Sequence, residues 1–409
     1  MHRSNPGYTI KNYFFSIITA FTFLLYGCSD NATEPNTNSN EELKKELQTL
    51  LDSTVSSDNA IHNAVLLVDA PDINFKWKGA SGIANPQTQL KMEPNDQFRI
   101  ASLGKMTLAV LTMKLIEEDR FKLDDFIFHY LPGSIMNRLH IFQGKDYSNQ
   151  ITIRQLLNHT SGLPDYIEDG NRDAKGATDF MNLLKSEPNK FWKPEETIEY
   201  TKQNLPPHFA PGNGFHYGDT NYQLLGLILQ NITGKKLNIL YREKLFTPLG
   251  MNHTYMEYYD DPMPSIAGRN LSHVYFDADN YTDWISNSAD WAGGGIISTT
   301  EDLNRFMRAF VNNEIFRSPQ TKQLMLNWQN ESEAGLYYGF GIVRINFSEF
   351  GLTEIGEIYG HDGFPQSFMF YVPKQNVTIA GTLNQAVSEN NFMELVLTVI
   401  SLLAASDQH

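Results

Sequence analysis

The sequence predicts a mixed α/β (α+β) fold: an antiparallel β-sheet flanked by N- and C-terminal helices, with an inserted all-helical region. Three observations carry this. Strand-like runs occur near both ends of the chain. Helix signals dominate between about residues 101 and 290. An amphipathic pattern opens the folded body and an apolar one closes it.

The first element is the stretch NEELKKELQTLLDSTV from Asn40, where apolar residues recur at helical spacing. Two strands follow, Ala64 to Ala70 and Ile73 to Gly82, joined by the turn residues Pro71 and Asp72. After the helical middle, strands return in YYGFGIVRI, EIGEIYGH, SFMFYVP and VTIAGTL, the last two linked by PKQN. The closing helix is NFMELVLTVISLLAA. The end helices are expected to cover one sheet face, and the inserted helices to leave a cleft at the sheet. The body runs from 41 to 409, as one unit with a shared core.

Before the body lies a different kind of sequence. Arg3 and Lys11 precede the 14-residue apolar run from Tyr13 to Tyr26, the pattern of a secretory signal over residues 1–27. The run ends in LYGC and resembles a bacterial lipobox, which makes Cys28 the expected lipidation site. Cleavage there removes two cations and no acids, taking the formal charge from -15 to -17. Residues 28–40 are polar and Asn-rich, a flexible tether. The expected location is the periplasmic or outer face of a membrane, held by lipid.

Composition excludes other roles. The net charge of -15 and the lack of a basic block argue against nucleic acid, which needs clustered Lys and Arg. The single cysteine rules out an intrachain disulfide and a cysteine-based zinc site. The 11 histidines form neither HExxH nor HxH, so neither metal nor cofactor is expected.

The first chemical element is Ser102 with Lys105, in FRIASLGKMTLAV. Ser is a good helix cap, but a capping box calls for Glu or Gln three residues on. A cation in the first turn opposes the helix dipole, at about 0.3–1 kcal/mol. Chemistry explains what stability does not. Residues three apart share a helix face. An apolar setting disfavours the ammonium, and a neutral amine can take the serine's proton. Ser102 is the only serine in the chain with a lysine three residues later.

Two further elements follow. Tyr217 sits in PGNGFHYGDTNYQ, in a loop entering a helix that Thr220 and Gln223 are expected to cap. His361 sits in YGHDGFPQS, between Gly360 and Gly363 just ahead of a strand. His159 reads as scaffold, Ser298 with Glu301 as a helix cap, and Asp124 with Asp125 as a helix start. The glycines 293–295 read as a loop passing close to the site.

In this order, SLGK, YGD and HDG resemble the S-x-x-K, Y-x-N and K-T-G (or H-x-G) motifs of the serine β-lactamase and penicillin-binding protein superfamily. LLNHTSGL, PLGMNHT and GGGIISTTEDLNRF are similar to segments of its class C-like branch. The resemblance implies Ser102 as acylated nucleophile, Lys105 as its proton acceptor and Tyr217 as a general acid or base. It implies an oxyanion hole from the N–H groups of Ser102 and Phe364, and substrate contacts from Asp219, His361 and Gly363. Two positions depart from the pattern. Asp219 replaces an amide with a group that only accepts hydrogen bonds when ionised, and His361 replaces a fixed cation. The expected function is a D-amino-acid peptidase or esterase acting on a small-molecule or peptide substrate. The alternatives are a true β-lactamase and a non-turnover penicillin- or peptide-sensing lipoprotein.

Overall fold

The computed structural model describes residues 37–262, 271–328, 330–386 and 391–406. The signal segment and Cys28 lie outside them. So does most of the tether, whose last residues belong to the first helix, α1 (Thr37–Ser57).

A nine-stranded antiparallel sheet forms the frame. Its strands are β1 (Asn63–Ala70), β2 (Phe75–Asn85), β3 (Leu90–Lys91), β4 (Asn330–Glu333), β5 (Leu336–Tyr338), β6 (Val343–Asn346), β7 (Glu357–Gly363), β8 (Ser367–Val372) and β9 (Val377–Thr382). Their order is β4-β5-β6-β7-β8-β9-β1-β2-β3, so the two ends of the chain meet where β9 pairs with β1. The same turn recurs in PDIN and PKQN: a short 3-10 turn after proline, ended by Asn74 and Asn376 at φ of about 50°. Asn tolerates this left-handed conformation better than most residues. The turn uses Ile73 and Asn74, so β2 starts at Phe75 rather than Ile73.

Alternation along the strands splits the core in two. On one face, Leu66 and Val68 of β1 pack with Leu43, Leu47 and Leu51 of α1. The closing helix α5 (Phe392–Ser406) adds Val396, Val399 and Leu403 to that cluster, so both end helices cover this face as expected. On the other face lie α2 (Leu103–Glu117), α3 (Asp219–Thr233) and α4 (Thr300–Val311), buried through Leu108, Leu111, Leu224 and Phe306. The inserted region is not purely helical. It contains two-residue strand pairs at 141–146 and 275–280, and Tyr255–Met256 joins Phe98–Arg99 and Ile296–Ser298 in a small sheet.

Four local expectations change. Helix α3 starts at Asp219 after Gly218, because Gln223 turns away to donate to the Tyr166 hydroxyl and the Ala289 carbonyl. Thr299, not Ser298, caps α4 by accepting from the Asp302 N–H. Asp124 and Asp125 begin no helix: Asp124 pairs with Arg154, and Asp125 accepts from Lys122 N–H and the Tyr130 hydroxyl. His361 lies within β7, rather than ahead of a strand.

Candidate active site

Ser102 opens α2 at the meeting point of two sheets. Ile100 donates from its N–H to the Ile296 carbonyl at 3.1 Å, and Ser367 Oγ donates to the Ile100 carbonyl at 2.7 Å. Ala101 then turns the chain into the helix at φ 46°, a left-handed value that L-residues rarely adopt. Gly294 lies against Ala101, and Gly104 lies against Gly294, so close that a Cβ at either would strike backbone. That approach explains Gly294, one of the glycines read from sequence as a close-passing loop. Gly363 packs onto Ile100 and Ala101 in the same manner, so its missing side chain makes room for the nucleophile's backbone as well as lining the cavity.

Lys105 is fully buried. Its Nζ donates to Ser102 Oγ at 2.9 Å and to the Gly293 carbonyl at 3.2 Å. It also contacts the Asp219 carboxylate and lies 5.0 Å from the centre of the Tyr217 ring. The sequence reading gives Asp219 a place at the substrate. The structure turns its Oδ1 inward onto Nζ, in a space that exists because Gly293 has no side chain. The physical reason is charge: a buried ammonium without a counter-ion costs several kcal/mol. Asp219 also stands in the first turn of α3, where the helix dipole favours an anion.

A single hydrogen-bonded chain orders the other side of the site. His361 Nδ1 lies 2.6 Å from the Asp362 carbonyl, which only accepts, so this nitrogen carries the proton. Nε2 must then accept from the Tyr338 hydroxyl at 3.2 Å. The Tyr338 oxygen in turn accepts from His159 Nε2 at 3.2 Å. His159 Nδ1 accepts from the Gly218 N–H at 3.2 Å and lies 3.1 Å from the Asn221 amide nitrogen. Every link fixes the next tautomer. His159 therefore joins β5 and β7 to the loop carrying Tyr217, whose ring it faces at 4.5 Å, and its scaffold role is specific to the site.

Protonation states follow from these surroundings. Burial first, then the nearby Lys105, pushes His361 down to about 3, and the same effects hold His159 well below the usual range. Both imidazoles are neutral near pH 7. Loss of water and then the Asp219 carboxylate push the Tyr217 hydroxyl well above its ordinary value, and a hydrogen bond from Ser102 offsets part of this. Tyr217 keeps its proton at neutral pH.

Ser102, Tyr217, His361, Gly363 and Phe364 line one cavity of about 1080 Å³. Phe364 follows directly after β7, and its ring stacks on Phe276. Sequence reasoning missed two carboxylates that also line the cavity. Asp165 is almost wholly buried, and its Oδ2 has no hydrogen-bond partner among the described residues. Burial and Asp219 push it well above the usual carboxylate range. Asp290 is pushed up to about 7 by burial and Asp219, against the pull of Lys105. Neither belongs to a readable motif, because only the fold brings 165 and 290 to one cavity.

Comparison with known proteins agrees with this architecture. A profile of the Beta-lactamase family matches residues 56–399. Protein flp of Staphylococcus aureus (strain N315) is 25% identical over 356 residues, 79% of this chain and 66% of that protein. Penicillin-binding protein 4* of Bacillus subtilis (strain 168) is 26% identical over 338 residues, 78% of this chain. The chain thus spans just under two thirds, 66%, of the length of each. Among solved structures, D-amino acid amidase from Ochrobactrum anthropi SV3, complexed with L-phenylalanine amide, superposes with a TM-score of 0.69. It shares 21% identity and covers 90% of this chain and 99% of its own. EstCE1, a hydrolase with promiscuous acyltransferase activity, superposes with a TM-score of 0.72 at 20% identity, over 90% of this chain and 100% of its own. These likenesses show the β-lactamase/transpeptidase fold. With the profile match extending from α1 into α5, the chain belongs to the Beta-lactamase family, within the β-lactamase-fold serine hydrolase superfamily.

Proposed function

We propose that the chain is a serine hydrolase that forms a Ser102 acyl-enzyme on amides or esters carrying no carboxylate near the scissile bond. D-Aminoacyl amides and small acyl esters are the leading candidates. The observation that carries this reading is the charge of the cavity. His361 is neutral where relatives of the K-T-G type hold a cation. Every Lys or Arg lining the cavity has a carboxylate partner: Arg99 with Glu257, Arg172 with Glu168, Lys175 with Asp277 and Lys185 with Asp279. Asp165 and Asp290 add acid to the wall. Such a cavity disfavours the carboxylate of a penicillin or of a D-alanyl-D-alanine peptide and favours a substrate amine.

The proton path uses the buried pair. Lys105 Nζ first passes one proton to Asp219 and becomes a neutral amine; as Ser102 Oγ attacks the carbonyl carbon, its proton passes to that amine. The oxyanion forms against the N–H groups of Ser102 and Phe364. Tyr217, protonated at rest, gives its proton to the departing nitrogen or oxygen, and Nζ restores it. Water then repeats the sequence in reverse and frees the acid.

The test is a hydrolysis panel: p-nitrophenyl esters, D-aminoacyl amides, a chromogenic cephalosporin and a D-Ala-D-Ala peptide. Steady turnover of the first two at a kcat/KM at least tenfold above the last two supports the reading. Preference for the carboxylate-bearing pair, or a burst without turnover on all four, overturns it. Lipid attachment at Cys28 belongs to the same proposal. It predicts incorporation of a fatty-acid analogue that Cys28→Ser abolishes.

A further inference from the structure

Asp169 and His216 line the cavity, and His208 converges on them. His208 Nε2 lies 2.8 Å and His216 Nε2 2.9 Å from the same carboxylate oxygen, Asp169 Oδ2. The two imidazoles stack with centroids 3.5 Å apart and planes 26° apart. Asp169 Oδ2 also accepts from the Asp165 N–H at 2.8 Å. One oxygen therefore faces three donors, whereas a carboxylate oxygen offers about two lone-pair sites. The three ligand atoms all lie within 4.8 Å of one another.

The backbone holds each of these residues in place. Asp169 N–H donates to the Asp165 carbonyl, His208 N–H to the Gly162 carbonyl and His216 N–H to the His159 carbonyl. Ligands fixed from behind are the arrangement a metal site needs. Bonds to zinc of about 2.0–2.2 Å at tetrahedral angles put neighbouring ligand atoms about 3.3–3.6 Å apart; the two nitrogen–oxygen spacings here are 2.8 and 2.9 Å, so the imidazoles need only open by about half an ångström. His208 opens the cluster to solvent.

We propose that Asp169, His208 and His216 bind one divalent transition-metal ion, zinc foremost, with water completing the coordination. Two imidazoles, one carboxylate and an open position suit a borderline cation. The ion replaces the protons that the two imidazoles now direct at Asp169. It ties the 165–169 loop to the 208–216 loop, which leads straight into Tyr217. Its role is to position that loop, since Ser102, Lys105 and Tyr217 already supply the proton path.

The experiment is titration of the untagged, chelator-treated chain with Zn²⁺ by calorimetry and with Co²⁺ by visible absorption. The expected result is one equivalent bound with a Kd at or below about 10 μM, and a rise in Tm of about 2 °C or more in excess Zn²⁺. Asp169→Asn, His208→Asn and His216→Asn should each weaken binding at least tenfold while keeping the wild-type circular dichroism. His208→Asn, at a side chain 36% exposed, carries the test should another variant unfold. Lack of stoichiometric binding by the wild type overturns the site, and so does binding that the substitutions leave unchanged. These readouts do not depend on hydrolase activity.

Discussion

Lys105 and Asp219 form a buried ion pair one hydrogen bond away from the Ser102 hydroxyl. The lysine side chain has no exposed surface and the aspartate only 6%. Neither charge is at home in such a place alone. The pair therefore explains how a cation survives in the first turn of an apolar helix, and it gives the serine's proton somewhere to go.

Removing one member should expose that dependence. Lys105→Met leaves the Asp219 charge buried without a partner and should lower stability by about 3–5 kcal/mol in urea unfolding. Lys105→Met with Asp219→Asn should recover about 1–3 kcal/mol of this, seen as a non-additive double-mutant cycle. Additive losses would mean that the two groups do not interact. Asp219→Asn alone should lower kcat, because Nζ loses its proton acceptor.

Tyr217→Phe should reduce kcat/KM by about 10²–10⁴-fold with little change in stability. Because the hydroxyl is held protonated well above neutral pH, the wild-type rate should not rise across pH 6–9 through ionisation of Tyr217. Comparing the pH profiles of wild type and Tyr217→Phe checks this.

The histidine chain sets a stability slope in acid. His361 titrates near 3 when folded and near 6.5 when unfolded, so the unfolded chain binds the extra proton between those values. Stability supplied by neutral His361 is present above about 6.5 and is lost as pH falls toward 3. His361→Asn should flatten that fall in thermal melts at pH 4–7. Tyr338→Phe removes the link between His159 and His361 and should cost about 1–3 kcal/mol at neutral pH.

Asp290 works with the opposite sign. Its folded value near 7 exceeds the ordinary 3.8, so its contribution is present below about 4 and is lost as pH rises through 7. Asp290→Asn should raise stability at pH 8, by about 1 kcal/mol or more. In the proposed reading the same change should raise KM for amine-bearing substrates at least tenfold and leave neutral esters nearly unaffected.

What was legible in the sequence divides along physical lines. Helices α1 and α5 and most strands of the sheet follow from local periodicity, with shifted ends such as the start of β2; the run YYGFGIVRI instead splits into β5 and β6, and the short edge strands β3 and β4 were not read. Ser102 and Lys105 were readable as a pair because three residues span one helical turn. The inward turn of Asp219 was not, since it depends on the space beside Gly293, 74 positions away. Thr220 and Gln223 matched a capping pattern, yet tertiary partners claimed the glutamine. Asp165, Asp290 and the Asp169–His208–His216 cluster share no spacing that a motif could capture; only the folded loops assemble them.

The central claim is an acyl bond on one oxygen atom. Intact-mass spectrometry of the protein treated with a fluorophosphonate or an activated ester, followed by peptide mapping, tests it most directly. The account predicts one adduct on the wild type, located on Ser102, and none on Ser102→Ala. An adduct of equal yield on Ser102→Ala, or one mapped to another residue of the wild type, would contradict it.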